Sequence, residues 1–205
     1  MSMEKVGQHR PVVREEDGRR VLRVGGVIQS VAVDHAYVPD VWDALLPEAH
    51  PGSVLILGLG GGTVATLMTQ RWGPLPISGI ERDPAVVWLA RHEFGLDRLA
   101  NVHIVVADAF DFVRDCRETY GAICVDLYVA GKMAHGVLEP RFLRDIGRIL
   151  APEGTATFNL WRTPFVDDQI RRIGQQLPVR GIREVDENIL VACGPIMPEL
   201  AAAEE

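Results

Sequence analysis

Residues 54–63 read VLILGLGGGT: four apolar residues, then glycine at four of the five positions 58–62. The apolar run fits a short buried strand. The glycines let the chain turn sharply and approach a ligand with no Cβ in the way. Some 20 residues on, in the spacing typical of such folds, a second apolar run at 77–80 ends in an acid, Glu81. Strand, glycine turn, helix, strand and acid, in that order, are how an open α/β sheet holds a nucleoside. Gly58, Gly60 and Gly62 alone would also suit plain packing. Gly60-x-Gly62-x-x-Ala65 meets the dinucleotide spacing too, so the turn by itself leaves an NAD-type ligand open.

Outward from this stretch the chain alternates. Strands are predicted at 54–57, 77–80, 102–106, 122–125 and 155–159, with helices near 63–71, 84–94, 109–118 and 140–150. Pro84 and Pro140 suit first-turn positions, behind the acids Asp83 and Glu139. The pattern predicts an α/β fold: a Rossmann-like open, mostly parallel sheet with helices on both faces. Beyond it, a helix at 165–177 and strands at 180–184 and 188–193 predict an antiparallel pair at or near the sheet edge. Upstream, 20–24 and 27–33 flank Gly25-Gly26 as a β-hairpin. Residues 38–46 have helical apolar spacing that ends at Pro47. Residues 1–18 are polar and expected to be frayed or partly ordered, and 195–205 read as a loose tail. The expected organisation is a hairpin region with a linking helix at 1–50, a nucleoside-binding domain at 51–194, and the tail.

With 205 residues, 47% hydrophobic and 24% charged, one core with a small appendage is expected. A net charge of −7 argues against nucleic acid as the main partner and is compatible with a cationic substrate such as an amine. The three cysteines lack CxxC spacing, and Cys124 reads as a buried reduced thiol. The six histidines show neither HxxxH nor HExxH, so no metal is expected. No apolar leader segment and no run of about 20 apolar residues is present, so no membrane span is expected and a cytoplasmic location is the natural reading.

The strand ends carry the chemistry. Glu81 can accept hydrogen bonds from both hydroxyls of a ribose, or pair with Arg82 as a solvated acid. Asp108, closing HIVVADA, can accept from an exocyclic amine such as adenine N6 while the Ala109 N–H meets a ring nitrogen; it also suits the N-cap of the next helix. Asp126 closes AICVD at the same sheet edge. Four successive strand ends bearing glycine, Glu, Asp and Asp form a much stronger signal than any one of them.

The order GxGxG, IERDP, VVADA, CVDLY and RILAPEGTATFNLW resembles the class I S-adenosylmethionine-dependent methyltransferase fold. The hairpin LRVGGVIQS is similar, more narrowly, to that of the spermidine synthase (polyamine aminopropyltransferase) family, and the resemblance covers roughly residues 20–162. It implies that Gln29 lines a substrate pocket, that Glu81 holds the ribose and Asp108 with Ala109 the adenine, and that Asp126 is the first acid of the family's catalytic loop. There an acid helps take a proton from an amine, which attacks the carbon beside the sulfonium of decarboxylated S-adenosylmethionine. An ammonium is no nucleophile, so a carboxylate must bind it and accept its proton. The loop's second acid falls at Val129, and the acid of the family's glycine turn at Gly61. The family's Tyr-His-Glu helix start has no clean counterpart around residues 37–40.

Tyr128 and His135, in the loop after Asp126, could orient a substrate, serve as an alternative base or simply be loop-surface residues, and Lys132 would repel a polyamine if it points inward. Trp42, Trp72 and Trp88 read as packing, and Trp161 either borders the pocket or packs. The leading expectation is a transferase-fold protein binding S-adenosylmethionine, its decarboxylated form or methylthioadenosine, with aminopropyl transfer to an amine acceptor. A methyltransferase is the alternative, and a non-catalytic nucleoside-binding protein the third. The hairpin edges offer pairing to a second copy as a homo-oligomer.

Overall fold

The structure, a computed structural model, describes residues 10–33, 40–129 and 131–195. The beginning of the helix expected at 38–46, its Tyr37–Pro39 neighbourhood and nearly all of the expected tail lie outside the described residues. The central element is a seven-stranded sheet. Its strands are β4 (Val54–Leu57), β5 (Ile77–Glu81), β6 (Val102–Val106), β7 (Tyr120–Val125), β10 (Leu150–Trp161), β11 (Val179–Val185) and β12 (Asn188–Cys193), in the spatial order β11-β12-β10-β7-β4-β5-β6. β10, β7, β4, β5 and β6 pair in parallel, while β12 runs antiparallel to both β10 and β11. This is the expected mostly parallel sheet with an antiparallel pair at one edge.

Alternation along the strands divides the core. Leu55 and Leu57 of β4, Ile123 and Val125 of β7 and Phe158 of β10 face one side. There they meet α4 (Ala109–Asp115), α5 (Pro140–Arg148) and α6 (Val166–Gly174) through Val113, Leu143, Ile146 and Ile173. Val54, Ile56, Ala122 and Cys124 face the other side. Their partners there are Trp42 of α1 (Asp40–Ala44), Val64, Ala65 and Met68 of α2 (Thr63–Trp72) and Ala90 of α3 (Pro84–Glu93). All four residues of β4 are buried, as a strand covered on both faces requires. Each large aliphatic side chain so buried contributes about 1.5–3 kcal/mol.

A smaller antiparallel sheet precedes this: β1 (Val12–Glu16), β2 (Arg19–Val24) and β3 (Val27–Val31), in that order. β1 is the ordered part of the stretch 1–18, of which residues 1–9 lie outside the described residues. Its residues alternate with no apolar face, and charge pairing across the strands takes over: Glu15 and Glu16 lie opposite Arg20 and Arg19, and Arg23 reaches Glu16 at 2.7 Å.

The free edge of β3 is bound to the main domain. The Thr63 hydroxyl donates to the Val31 carbonyl at 2.8 Å and accepts from the Val31 N–H at 3.1 Å, and the Gly61 N–H donates to Ser30 Oγ at 2.7 Å. All of these groups are buried. Thr63→Val keeps the shape but leaves two backbone groups without partners, so it should cost about 2–4 kcal/mol and lower Tm by roughly 4–16 °C in a thermal melt. An unchanged Tm would show that the clamp is dispensable.

Other differences have local causes. The α4 helix ends at Asp115, short of 118, where the Arg148 guanidinium collects the carbonyls of Val113, Arg114 and Cys116. β10 begins at Leu150, with a register shift before Thr155 around Pro152 and Gly154, which disguise its first half in the sequence. Glu139 precedes α5 but makes no side-chain cap, whereas Asp83 accepts from the Ala85 N–H at 2.8 Å. Trp42 is buried as expected, but Trp88 is 54% exposed and stacks on His92. Among the described residues no helix is long and apolar enough to cross a membrane.

Candidate functional site

Strand register builds the site. Leu57 lies opposite both Ile80 and Val125, and Val125 opposite Phe158. The next residues, Gly58, Glu81, Asp126 and Asn159, therefore form a row along the carboxyl edge, with Asp108 just beyond β6. The chain departs from β4 to β5 on one side and returns as β7 on the other, which opens a crevice at this point.

A cavity of about 220 Å³ occupies the crevice, lined among others by Gln29, Gly58, Gly60, Glu81, Asp108, Ala109, Asp126 and Tyr128. Eight of the nine residues singled out from the sequence thus come together. Gly62 stands off the lining: it precedes α2, and a Cβ there would meet Leu96 at 2.6 Å. Val129 lines the cavity, while Lys132 and His135 line neither this cavity nor the next. The loop after Asp126 contains a two-rung ladder, Tyr128–Val129 (β8) against Lys132–Met133 (β9), where the sequence pattern predicts only loop.

Glu81 is anchored by its surroundings. Gly60 N–H donates to its Oε2 and Asp83 N–H to its Oε1, both at 3.1 Å. Burial pushes its carboxyl up, and these backbone donors oppose the shift. The Arg82 N–H also acts on this carboxylate, and with about four acceptor sites on its two oxygens the group keeps capacity for a ribose hydroxyl. Asp108 caps α4 with one oxygen, accepting from Phe110 N–H at 2.8 Å. Its second oxygen and the Ala109 N–H, which has no intrahelical acceptor in the first turn, suit a purine edge. The groups present fit an adenosine.

At Gly61 a side chain would run into Ser30, with Cβ to Cβ at 2.7 Å. The N-terminal sheet thus fills the space an acid on the glycine turn would need.

Asp126 sits where two cavities meet. Its carboxyl is pushed up to about 6 by burial, with the Asn159 hydrogen bond opposing the rise. The second cavity, about 410 Å³, shares Gln29, Asp126 and Tyr128 with the first and is walled by Trp42, Trp161, Asn159, Asp186, Glu187 and Asn188. No Lys, Arg or His lines it among the described residues. Tyr128 donates to the Asn159 carbonyl at 3.1 Å and lies 5.6 Å from the Trp161 ring. Burial, then the nearby Asp126 carboxylate, push its phenol up, so it stays neutral. Asn159, Asp186, Glu187 and Asn188 escaped sequence reading, which carried no local signal for them. Trp161 does border a cavity.

No protein-family model matches the chain. It is similar to the polyamine aminopropyltransferase of Chromobacterium violaceum, 27% identical over 158 residues that cover 73% of this chain and 60% of that protein. A probable spermidine synthase from Corynebacterium glutamicum aligns with a TM-score of 0.76 at 16% identity, covering 90% of this chain and 76% of that one. Human methyltransferase-like protein 13, solved in complex with SAH, aligns at 0.66 and 23% identity, covering 80% and 85%. The fold is that of the class I S-adenosylmethionine-dependent methyltransferases. Within that fold the chain is similar to spermidine synthases, and its match spans about three fifths of the aminopropyltransferase's length.

Proposed function

We propose that the first cavity binds an adenosyl sulfonium or its thioether product, and that the second admits an amine acceptor to which an aminopropyl group is transferred. The observation that carries this reading is the shared wall of Gln29, Asp126 and Tyr128, with ribose- and purine-matching groups on one side and carboxylates and aromatic rings on the other. Glu81 holds the ribose hydroxyls, Asp108 and the Ala109 N–H hold the adenine, and Gln29 and Tyr128 orient the acceptor. The sulfonium supplies an electron-poor carbon and a thioether leaving group. Asp126, largely ionised at neutral pH, binds the acceptor ammonium and takes one proton from it. The freed nitrogen lone pair forms the new C–N bond as the C–S bond breaks, and methylthioadenosine leaves with that electron pair.

Methyl transfer is the second reading. Gly61 against Ser30, with Val129 in the following loop, offers no carboxylate to an aminopropyl ammonium at either position, whereas methyl transfer needs little beyond alignment.

Calorimetric titration with S-adenosylmethionine, its decarboxylated form and methylthioadenosine tests the nucleoside grip, and absence of binding by all three would overturn both readings. Methylthioadenosine release that depends on an added amine would support aminopropyl transfer; methylated product without such release would favour the second. Glu81→Gln turns an acceptor into an amide whose NH2 opposes the backbone donors already aimed at it. It should weaken nucleoside binding about 100-fold, as loss of one or two hydrogen bonds to a charged group implies.

A further inference from the structure

A chain of amides stands behind Asp126. Asn188, at the beginning of β12, donates from Nδ2 to Asn159 Oδ1 at 2.8 Å, and Asn159 donates from Nδ2 to Asp126 Oδ1 at 2.9 Å. Register makes this possible. Trp161 lies opposite Asn188 and Asn159 opposite Leu190, so Asn159 and Asn188 are diagonal neighbours on one face of the sheet. The two ends of an amide are nearly the same shape, and hydrogen-bond partners decide which way it points. Asn159 can turn its NH2 to a carboxylate at low cost only if a donor satisfies its carbonyl, and Asn188 is that donor. Among the described residues no buried side-chain oxygen lacks a partner. Asp126 Oδ2, which takes part in no hydrogen bond there, is therefore open to the cavity.

We infer that Asn188 is a positioning residue for Asp126: it locks the Asn159 amide so that Oδ1 of the carboxylate is held and Oδ2 is presented to the acceptor. This rests on the proposed role of Asp126 toward the acceptor amine. Asn188 belongs to the edge hairpin, remote in sequence from every strand-end motif; it reaches Asp126 through Asn159 and also borders the second cavity. The ionisable groups sharing the cavities with Asp126 are Tyr128, Asp186 and Glu187 on one side and Glu81, Arg82, Asp83 and Asp108 on the other, with Cys124 beneath it on β7.

The test is the titration of the Asp126 carboxyl carbon by 13C NMR in the full chain, its resonance assigned by its loss in Asp126→Asn. In Asn188→Leu and in the smaller Asn188→Ala the midpoint should rise by about one pH unit, as expected when a hydrogen bond to the ionised form is weakened. Asn188→Gln, which retains an amide donor, should stay near the wild type. Asp186→Asn and Glu187→Gln remove negative charge and should move the midpoint slightly down. A wild-type midpoint in either folded Leu or Ala variant would overturn the inference, as would a rise in Asn188→Gln equal to that in Asn188→Leu. Since the readout is the carboxyl itself, absence of nucleoside binding would sink the transferase reading and leave this titration intact.

Discussion

On the proposed reading, in which Asp126 takes the acceptor's proton, Asp126→Asn should reduce transfer by about 10²–10⁴-fold, the usual contribution of a general base, and at the same time make the protein more stable at pH 8. Burial raises the carboxyl from its ordinary value of 3.8 to about 6 in the folded state. Below about pH 4 the carboxyl is protonated whether the chain is folded or not, and its burial carries no charge penalty. Between about 4 and 6 the folded chain holds the proton more tightly than the unfolded one, so stability falls as pH rises. Above 6 the full penalty applies, up to about 3 kcal/mol at roughly 1.4 kcal/mol per pH unit. Asparagine removes the charge and can still accept from Asn159. Unfolding in urea should therefore show a gain approaching 3 kcal/mol at pH 8 and almost none at pH 4. A variant less stable than wild type at pH 8 would contradict the account. In the wild type, kcat/KM should climb through an acid limb centred near the same carboxyl value.

Gly58→Ala should be the most damaging single substitution in the glycine turn. The residue has φ 88°, a region that costs an ordinary residue about 1–2 kcal/mol. Its Cβ would also overlap the backbone carbonyl oxygen of Asp126. That contact cannot be relieved by a side-chain rotation, because the Asp126 N–H is tied to the Leu57 carbonyl at 2.9 Å in the β4–β7 pair. The expected loss is about 3–5 kcal/mol, with weakened nucleoside binding in whatever remains folded. Gly52→Ala is the matched control: φ is 73°, and a Cβ there meets nothing within 4 Å. It should cost only the backbone term, about 1–2 kcal/mol. Equal thermal shifts for the two would remove the argument from close approach.

The main sheet was legible because its signals are local. The apolar runs at 54–57 and 102–106 (the latter broken only by His103) each lead into a helix along the chain, and the acids at the strand tips lie at or within two residues of the strand ends. Parallel pairing then brings successive carboxyl ends to one edge, which is why Gly58, Glu81, Asp108 and Asp126 converge on one cavity. β1 was hidden because an exposed edge strand built from Val, Arg and Glu has no apolar period; charge pairs with β2 hold it, and those partners are visible only across the hairpin. The first half of β10 was hidden by Pro152 and Gly154, which a register irregularity accommodates.

The amino-acid order alone determined the class of fold, the side of the sheet that carries the site, and the nucleoside-matching groups, since strand-to-helix alternation and strand-tip acids depend on neighbours in sequence. Tertiary structure decided the rest. Ser30 fills the space beside Gly61, Thr63 binds the N-terminal sheet over the turn, and Asn188 reaches Asn159 and through it Asp126. Such contacts join residues about 30 positions apart, and they exist only once strand register has chosen which faces meet.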